Sequence, residues 1–350
     1  MTIVFAILLF SILIFVHELG HFLAAKASKV QVNEFAIFMG PAIYKKKKGD
    51  TLYSIRCIPI GGYCAMEGED QDTDNPNSFQ KAAWWKRLII LLAGSAMNFV
   101  AGILIMVIVF LPAQQFIVPT VAEVEPGSAI FGEGKLQLGD TFLEINGEKV
   151  YVQSDFSTLL SLKGGDVHDI VVERNGEKVY LNDFKFEKTL FPGEETPRYG
   201  FSFGIENATL GSKLSYAWRN VLNAGRIVRL SLQMLISGEA SVSDMTGPVG
   251  IIGQMNDVAE SSATWVDALL NMLYFGGFIA INLGIMNLLP IPALDGGRVV
   301  ALLITSLIVK ITGKKVDSKY EAYIHGAGMV LLLILMAVIM FKDIFVIFKG

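Results

Sequence analysis

The sequence predicts a polytopic α-helical membrane protein that carries a small β-element and an inserted α+β domain. Of its 350 residues, 52% are hydrophobic and 18% are charged, whereas a soluble domain has roughly a quarter charged residues. Crossing a bilayer takes about 20 mostly apolar residues, and four segments of the chain reach that length. They run over residues 3–27, 88–111, 269–289 and 326–348.

The charges between these segments predict the orientation of the chain. Lysine is abundant between the first and second segments and again between the third and fourth. Residues 113–206, in contrast, contain sixteen Asp or Glu against eight Lys or Arg. The positive-inside rule therefore predicts cytoplasmic basic connections, an extracytoplasmic acidic domain and extracytoplasmic termini. The lysine run at residues 45–48 is typical of a cluster facing anionic lipid, so no nucleic-acid partner is expected.

The predicted organisation has eight parts. The first apolar segment is expected to be retained, because it lacks a basic amino-terminal region and a small-residue cleavage site. The parts are the first transmembrane helix (1–30), a cytoplasmic, membrane-associated β-hairpin or sheet with a loop (31–87), the second transmembrane helix (88–112), the extracytoplasmic domain (113–206), a helical connector that lies on the membrane surface or leads to the next span (207–268), the third transmembrane helix with a break (269–298), a cytoplasmic helix or loop (299–325) and the fourth transmembrane helix (326–350).

Short turn signals predict strands in both insertions. Asn-Gly pairs at 146–147 and 175–176 are strong hairpin turns, and Lys-Gly-Asp at 48–50 separates two strand-like runs of the β-element. The two cysteines, Cys57 and Cys64, are too few for a disulfide framework. They are expected as reduced thiols in a small apolar core.

A metal-binding motif lies inside the first apolar segment. His17-Glu18-Leu19-Gly20-His21 is an H-E-x-x-H sequence, and residues four apart share one face of a helix. Two imidazoles can therefore hold one Zn²⁺, and Glu18 can serve as the general acid–base of a hydrolysis. Ionisable residues inside a membrane span are costly and by default functional. This favours catalytic zinc over a polar seam in helix packing or a transported metal.

A catalytic zinc needs a third protein ligand and an open position. Two candidates lie near the cytoplasmic end of the predicted spans. Residues 287–298 contain two prolines and two glycines that break the third helix, and irregular backbone at membrane depth is tolerated where it is buried or lines a wet cavity. Asp295 lies in this break and is the favoured ligand. His325, at the start of the fourth span, is the alternative and is more simply a surface residue.

The two motifs together resemble those of the site-2 protease family of intramembrane zinc metalloproteases. More narrowly, they are similar to the bacterial branch that cleaves anti-sigma factors and remnant signal peptides. H-E-x-x-H in the first span and N-x-x-P-x-P-x-L-D-G, which begins at Asn287, are specific in combination, and the resemblance covers essentially the whole chain. It implies that His17, His21 and Asp295 are the zinc ligands. It also implies that Glu18 is the catalytic glutamate.

The resemblance extends to positions outside these four. Asn287 matches a family position that assists substrate or transition-state binding. The G-S-A-M-N-F sequence at 94–99 matches a second-span signature, and the same assistance is expected of Asn98. A proline is common where Ser95 stands, a departure that does not touch the zinc.

Two elements are expected to handle the substrate. The resemblance implies a single PDZ domain over residues 113–206, which either takes an extended peptide as an added strand or excludes substrates by bulk. In the β-element, Gly61 and Gly62 are expected to hold the substrate extended beside an edge strand.

The implied activity is hydrolysis of peptide bonds in or near the transmembrane segment of single-pass membrane proteins, after a first cleavage by a site-1 protease. The implied location is the bacterial cytoplasmic membrane, with the active site toward the cytoplasm, so the partners are such substrates and the lipid bilayer. Two alternatives stay open. A scaffold built around the PDZ domain would keep its function after Glu18→Gln, and a zinc transporter would need further ligands along a path.

Overall fold

The structure is a computed structural model that describes residues 2–69, 71, 73–239, 241, 246–313 and 318–349. The chain divides into two compact units, one built from residues 1–106 and 224–350 and the other from residues 107–223. We name them the helical unit and the β unit.

The described part of the chain contains eight α-helices and eight β-strands. The helices are α1 (Thr2–Ala27), α2 (Trp84–Phe110), α3 (Asp155–Lys163), α4 (Leu210–Ser237), α5 (Pro248–Ser261), α6 (Trp265–Asn287), α7 (Asp295–Thr312) and α8 (Ser318–Lys349). The strands are β1 (Val32–Lys48), β2 (Thr51–Met66), β3 (Gln115–Val124), β4 (Thr141–Ile145), β5 (Glu148–Lys149), β6 (Val167–Arg174), β7 (Glu177–Lys185) and β8 (Phe201–Asn207).

Four of these helices, α1, α2, α6 and α8, are long and apolar enough to cross a membrane. They match the four segments predicted from the sequence. Helix α2 begins at Trp84, ahead of the predicted residue 88. Trp84 and Trp85 are each about half exposed, which is typical of aromatic residues at the boundary between membrane and water.

Helix α1 lies in the core of the helical unit along much of its length. Near its start, Ala6, Leu9 and Leu13 are buried in a cluster with residues of α5 and α6. Near its end, Ala25 belongs to a second cluster that includes residues of β1, β2, α2 and α7. Helix α8 is covered far less, since the side chain of Leu331 is 64% exposed. Such side chains meet lipid in a membrane span.

Strands β1 and β2 form the antiparallel element predicted to follow the first span. Their turn falls where the sequence places it, with Lys48 opposite Thr51. Both strands bend, so the first half of β1 pairs along both of its sides: Ile37 lies opposite Ile55 and also opposite Gly62. The last arm of β2, residues 62–66, therefore pairs only with β1 among the described strands and forms an edge of this sheet.

The expectation that both cysteines lie in an apolar core is wrong for one of them. Cys64 is buried, whereas Cys57 is exposed. The neighbours Ile55, Ile58 and Ile60 are exposed as well, so this part of β2 lies outside the apolar core that contains Cys64.

The β unit contains a sheet with the strand order β7-β6-β4-β3-β8, and β5 pairs with β4. Both Asn-Gly turns form as predicted, connecting β4 to β5 and β6 to β7. The core is aromatic: the ring of Phe156 from α3 lies 5.4 Å from that of Phe203 and 5.0 Å from that of Phe142. The mixed strand and helix content agrees with the predicted α+β domain. Its PDZ identity and its extracytoplasmic location stay predictions.

The break expected after the third span occupies residues 288–294. Asp295 was expected within the irregular stretch, but it is the first residue of α7, and this helix starts ahead of the predicted residue 299. A carboxylate in the first turn is stabilised by the helix dipole, so an aspartate suits this position.

Candidate metal centre

Helix α1 brings the two histidines of the H-E-x-x-H sequence together as their spacing predicts. The Nε2 atoms of His17 and His21 are 3.1 Å apart, and only 12% and 9% of the two side chains are exposed. Glu18 lies beside the edge arm of β2, since a Cβ added to Gly62 would be 3.8 Å from Glu18 Cγ. Glu18 is half-buried and follows His17 directly in α1, so a carboxyl group stands beside the metal-ligand pair.

Asp295 joins the histidines from the other end of the chain. Its Oδ2 lies 3.1 Å from His17 Nε2 and 3.3 Å from His21 Nε2. Two glycines follow it, and a Cβ added to Gly296 would be 2.2 Å from the carbonyl oxygen of Leu288. Because Gly296 has no side chain, the first turn of α7 can pack directly against the preceding loop. This packing brings the Asp295 carboxylate to α1.

The three converging atoms fit a zinc ion. Zinc bonds of about 2.0–2.1 Å in tetrahedral geometry separate neighbouring ligand atoms by about 3.3 Å, which matches the 3.1, 3.1 and 3.3 Å found here. Asp295 Oδ2 is buried and meets no donor at hydrogen-bonding angles. Within the described residues, no second group of three His, Cys, Asp or Glu side chains is placed to hold a metal.

The outer ring nitrogens of both histidines face polar groups. His21 Nδ1 lies 2.9 Å from the carbonyl oxygen of Ile90, so its N–H donates there and Nε2 is left for a metal. The side-chain amides of Asn98 and Asn287 approach His17 Nδ1 to 3.3 and 3.5 Å. Asn98 Oδ1 is buried without a hydrogen-bond partner, and half a turn of the amide lets it accept the His17 N–H. Such outer contacts orient metal-binding imidazoles.

Helix α2 packs directly against the histidine pair at Gly94. A Cβ at this position would lie 2.3 Å from His21 Nε2 and 2.7 Å from His17 Cε1. Contacts this short do not occur between real side chains, so any larger residue here would displace the histidine rings from these positions. Gly94 and Asn98 are four residues apart and thus share a face of α2.

The model of peptidase family M50 matches residues 5–335 of this chain. The chain belongs to peptidase family M50. A protein of Clostridium acetobutylicum, provisionally named a zinc metalloprotease, is 37% identical over 98% of this chain and 97% of its own length. The zinc metalloprotease RasP of Geobacillus kaustophilus is 28% identical over 98% of this chain and 97% of its own length. The regulator of sigma-W protease RasP of Bacillus subtilis is 27% identical, with 98% of both chains covered.

Family membership confirms the resemblance to site-2 proteases noted from the motifs. The chain is a zinc metalloprotease, its cofactor is Zn²⁺, and it is a multi-pass bacterial membrane protein. The role of each site residue in this chain stays a prediction.

The predicted site residues fall into two groups. His17, His21 and Asp295 converge, Asn98 and Asn287 face His17, and Gly62 lies beside Glu18, which follows His17 in α1. Gly61 comes directly before the edge arm of β2, and a Cβ added to it would be 3.0 Å from Met39 Cε. The alternative ligand His325 lies outside the converging group, because its Nδ1 faces the backbone nitrogen of Ala293 at 3.0 Å.

Two contributors to this site were missed at the level of sequence. Gly94 was noted only as part of a signature, although the pairing of a glycine with an asparagine four residues later indicates a common helix face. The Ile90 carbonyl left no signal, because every residue has one.

Proposed function

We propose that this chain is an intramembrane endopeptidase that cuts single-pass membrane proteins in or near their transmembrane segments. The observation that carries the proposal is the convergence of His17, His21 and Asp295 among apolar helices long enough to cross a membrane. A zinc ion held there has three protein ligands and a fourth position open to water or substrate. This is the coordination of catalytic rather than structural zinc.

Glu18 is the proposed acid–base. When bound, zinc provides the Lewis acidity that makes water a nucleophile near neutral pH and polarises the scissile carbonyl. Glu18 follows His17 in α1, so its carboxylate is held next to the ligand group. It takes a proton from the attacking water and then delivers that proton to the leaving amine. Asn98 and Asn287 keep the His17 ring in place, and Asn287 also assists substrate binding.

The edge arm of β2 is the proposed holder of the substrate. A peptide bond within a helix is shielded, so a substrate must be extended before it is cut. Gly62 lies in this arm beside Glu18, and a substrate added there as a further strand would pass the acid–base. Gly62→Pro should therefore slow cleavage without loss of zinc; Gly61 has a φ of +80°, which proline cannot adopt, so it is not used for this test. Lys45→Pro, in the opposite edge of the same sheet, is the matched control, and unchanged turnover in Gly62→Pro would refute this role.

The β unit is proposed as an extracytoplasmic PDZ domain that limits which substrates reach the site. Its strand β8 pairs only with β3 among the described strands, so one edge is free to take a peptide. Exclusion of bulky substrates by the domain is the preferred role. Trimming by a site-1 protease would then come first, because it removes the extracytoplasmic part of the substrate.

The substrate class is inferred from charge and from a relative. The name of the Bacillus subtilis relative connects it with regulation of a sigma factor, which supports anti-sigma factors as substrates here, together with remnant signal peptides. The lysine-rich connections support a site that opens toward the cytoplasm, with both termini extracytoplasmic.

The test is cleavage of a tagged single-pass protein by the purified full-length chain in lipid nanodiscs. Wild type should cut and stop cutting on addition of a strong chelator, and Glu18→Gln should be inactive yet retain one zinc per chain. Asp50→Asn, an equivalent change in the exposed turn of the β-element, should behave as wild type. Folded protein that neither contains nor accepts stoichiometric zinc would overturn the proposal, and cleavage by Glu18→Gln would remove Glu18 from its role.

A further inference from the structure

Helix α8 contacts the loop that leads to Asp295. His325 Nδ1 lies 3.0 Å from the backbone nitrogen of Ala293. Three residues later, Gly328 approaches Pro292 so closely that a Cβ there would be 2.5 Å from Pro292 Cβ. Residues three apart share a helix face, so His325 and Gly328 form one contact surface against residues 288–294.

The backbone at Ala293 needs support from its surroundings. Its φ is +79°, a left-handed value that is uncommon for residues other than glycine and is kept only where the structure around it compensates. The Ala293 N–H donates to His325 Nδ1, which fixes the orientation of this peptide group. Asp295 follows two residues later, so a rotation at Ala293 would move its carboxylate away from His17 and His21.

We propose that His325 is a positioning residue of the metal centre, which holds the Ala293 turn in the conformation that presents Asp295 to zinc. The inference rests on the ligand set of the proposed function. It assigns His325 a role other than the ligand role considered from sequence. Nδ1 accepts the Ala293 N–H, so the proton of the neutral ring lies on Nε2, and the group placed to hold a metal is His17, His21 and Asp295 without His325. The fourth span thereby contributes to a zinc site whose ligands lie on α1 and α7.

Two substitutions separate the hydrogen bond from the bulk of the side chain. His325→Leu removes the acceptor, whereas His325→Asn keeps an acceptor at the position of Nδ1. Leucine is the better helix former, so a rescue by asparagine cannot come from a more stable helix. Tyr323→Leu is the matched control, since this ring lies two residues away and is 76% exposed.

The readouts are zinc affinity by chelator competition and the visible absorption of the Co²⁺-substituted protein, both on the full-length chain in nanodiscs. Contacts that orient a metal ligand are worth about 10–100-fold in affinity, and His325 acts through a loop, so about a tenfold loss is expected for His325→Leu. Its Co²⁺ spectrum should change in intensity, because the ligand geometry changes. His325→Asn and Tyr323→Leu should both resemble wild type.

A double substitution tests the route through Ala293. Glycine adopts a positive φ without strain, so Ala293→Gly should recover part of the affinity lost in His325→Leu. Wild-type affinity and spectrum in His325→Leu, an equal loss in His325→Asn, or no recovery with Ala293→Gly would each overturn the proposal. Asp295→Ala separates failure of the ligand set from failure of the positioning role. If Asp295→Ala keeps the zinc affinity of wild type, the proposed ligand set is wrong. If Asp295→Ala loses zinc affinity while His325→Leu keeps it, only the positioning role of His325 is wrong.

Discussion

A single methyl group at Gly94 should remove the zinc from this protein. The alanine Cβ would lie 2.3 Å from His21 Nε2, whereas ordinary contact begins at 3.4 Å. The histidine must therefore move by 3.4 − 2.3, about 1.1 Å, relative to α2. Metal–ligand distances tolerate about ±0.2 Å, so His21 cannot remain a ligand in its present position.

The expected loss can be bounded. Disturbing a contact that only orients a ligand costs about 10–100-fold in metal affinity, and here a ligand atom itself is displaced. Zinc affinity in Gly94→Ala should thus fall by more than about 100-fold. A misplacement of about 1 Å also costs about 100-fold in rate, so any residual loaded enzyme should be slow.

The assay measures zinc affinity by chelator competition, together with helical content by circular dichroism. Alanine favours a helix over glycine by about 1 kcal/mol, so the fold of α2 should persist while the metal is lost. Gly253→Ala is the matched control, because a Cβ there meets nothing within 4 Å. Tight zinc binding by an active Gly94→Ala protein would refute the packing of α2 on the histidines.

Three further outcomes are expected. Asn98→Leu should weaken zinc binding about tenfold, because the His17 N–H loses its acceptor; chelator competition measures it, and unchanged affinity contradicts the amide's role. Asp343→Leu should cost about 1–3 kcal/mol of stability, because Asp343 Oδ2 accepts the N–H of Gly250 at the start of α5, 2.9 Å away. Thermal unfolding in detergent measures the loss of stability, and an unchanged midpoint argues against this contact. A maleimide should label only Cys57 in the folded protein, because burial raises the pKa of the Cys64 thiol; mass spectrometry of the labelled peptides checks this, and equal labelling contradicts it.

Much of the fold follows from patterns that act over short stretches of chain. The length and hydropathy of four segments indicate the spans, since a helix that crosses a bilayer must be apolar for about 20 residues. The turns at Gly49, Asn146 and Asn175 form where the sequence predicts, because a left-handed backbone suits these residue types. The bend of β1 and β2 was not predictable, because it depends on which half of a strand finds which partner.

The residues of the metal site likewise include some that are related by local geometry and one that is brought in by tertiary packing. His17, Glu18 and His21 are related by helix geometry alone, so their common face could be inferred from five residues. A helix break and a family resemblance favour Asp295 over His325 as the third ligand, since spacing cannot relate residues so far apart in the chain. Its arrival within 3.3 Å of both histidines depends on the packing of α7 against the loop before it.

The sequence by itself determined the membrane class and the metal-binding motif, because these depend on composition and on the local geometry of a helix. Zinc as the kind of metal followed from the ligand set and from the family resemblance. Only the tertiary structure decided that a side chain in place of Gly94 would displace the histidine rings, that the Ile90 carbonyl orients His21, and that His325 meets the ligand loop instead of the metal. Each of these contacts joins segments separated along the chain. No local pattern encodes such a distance, because it is set by how closely packed helices approach one another.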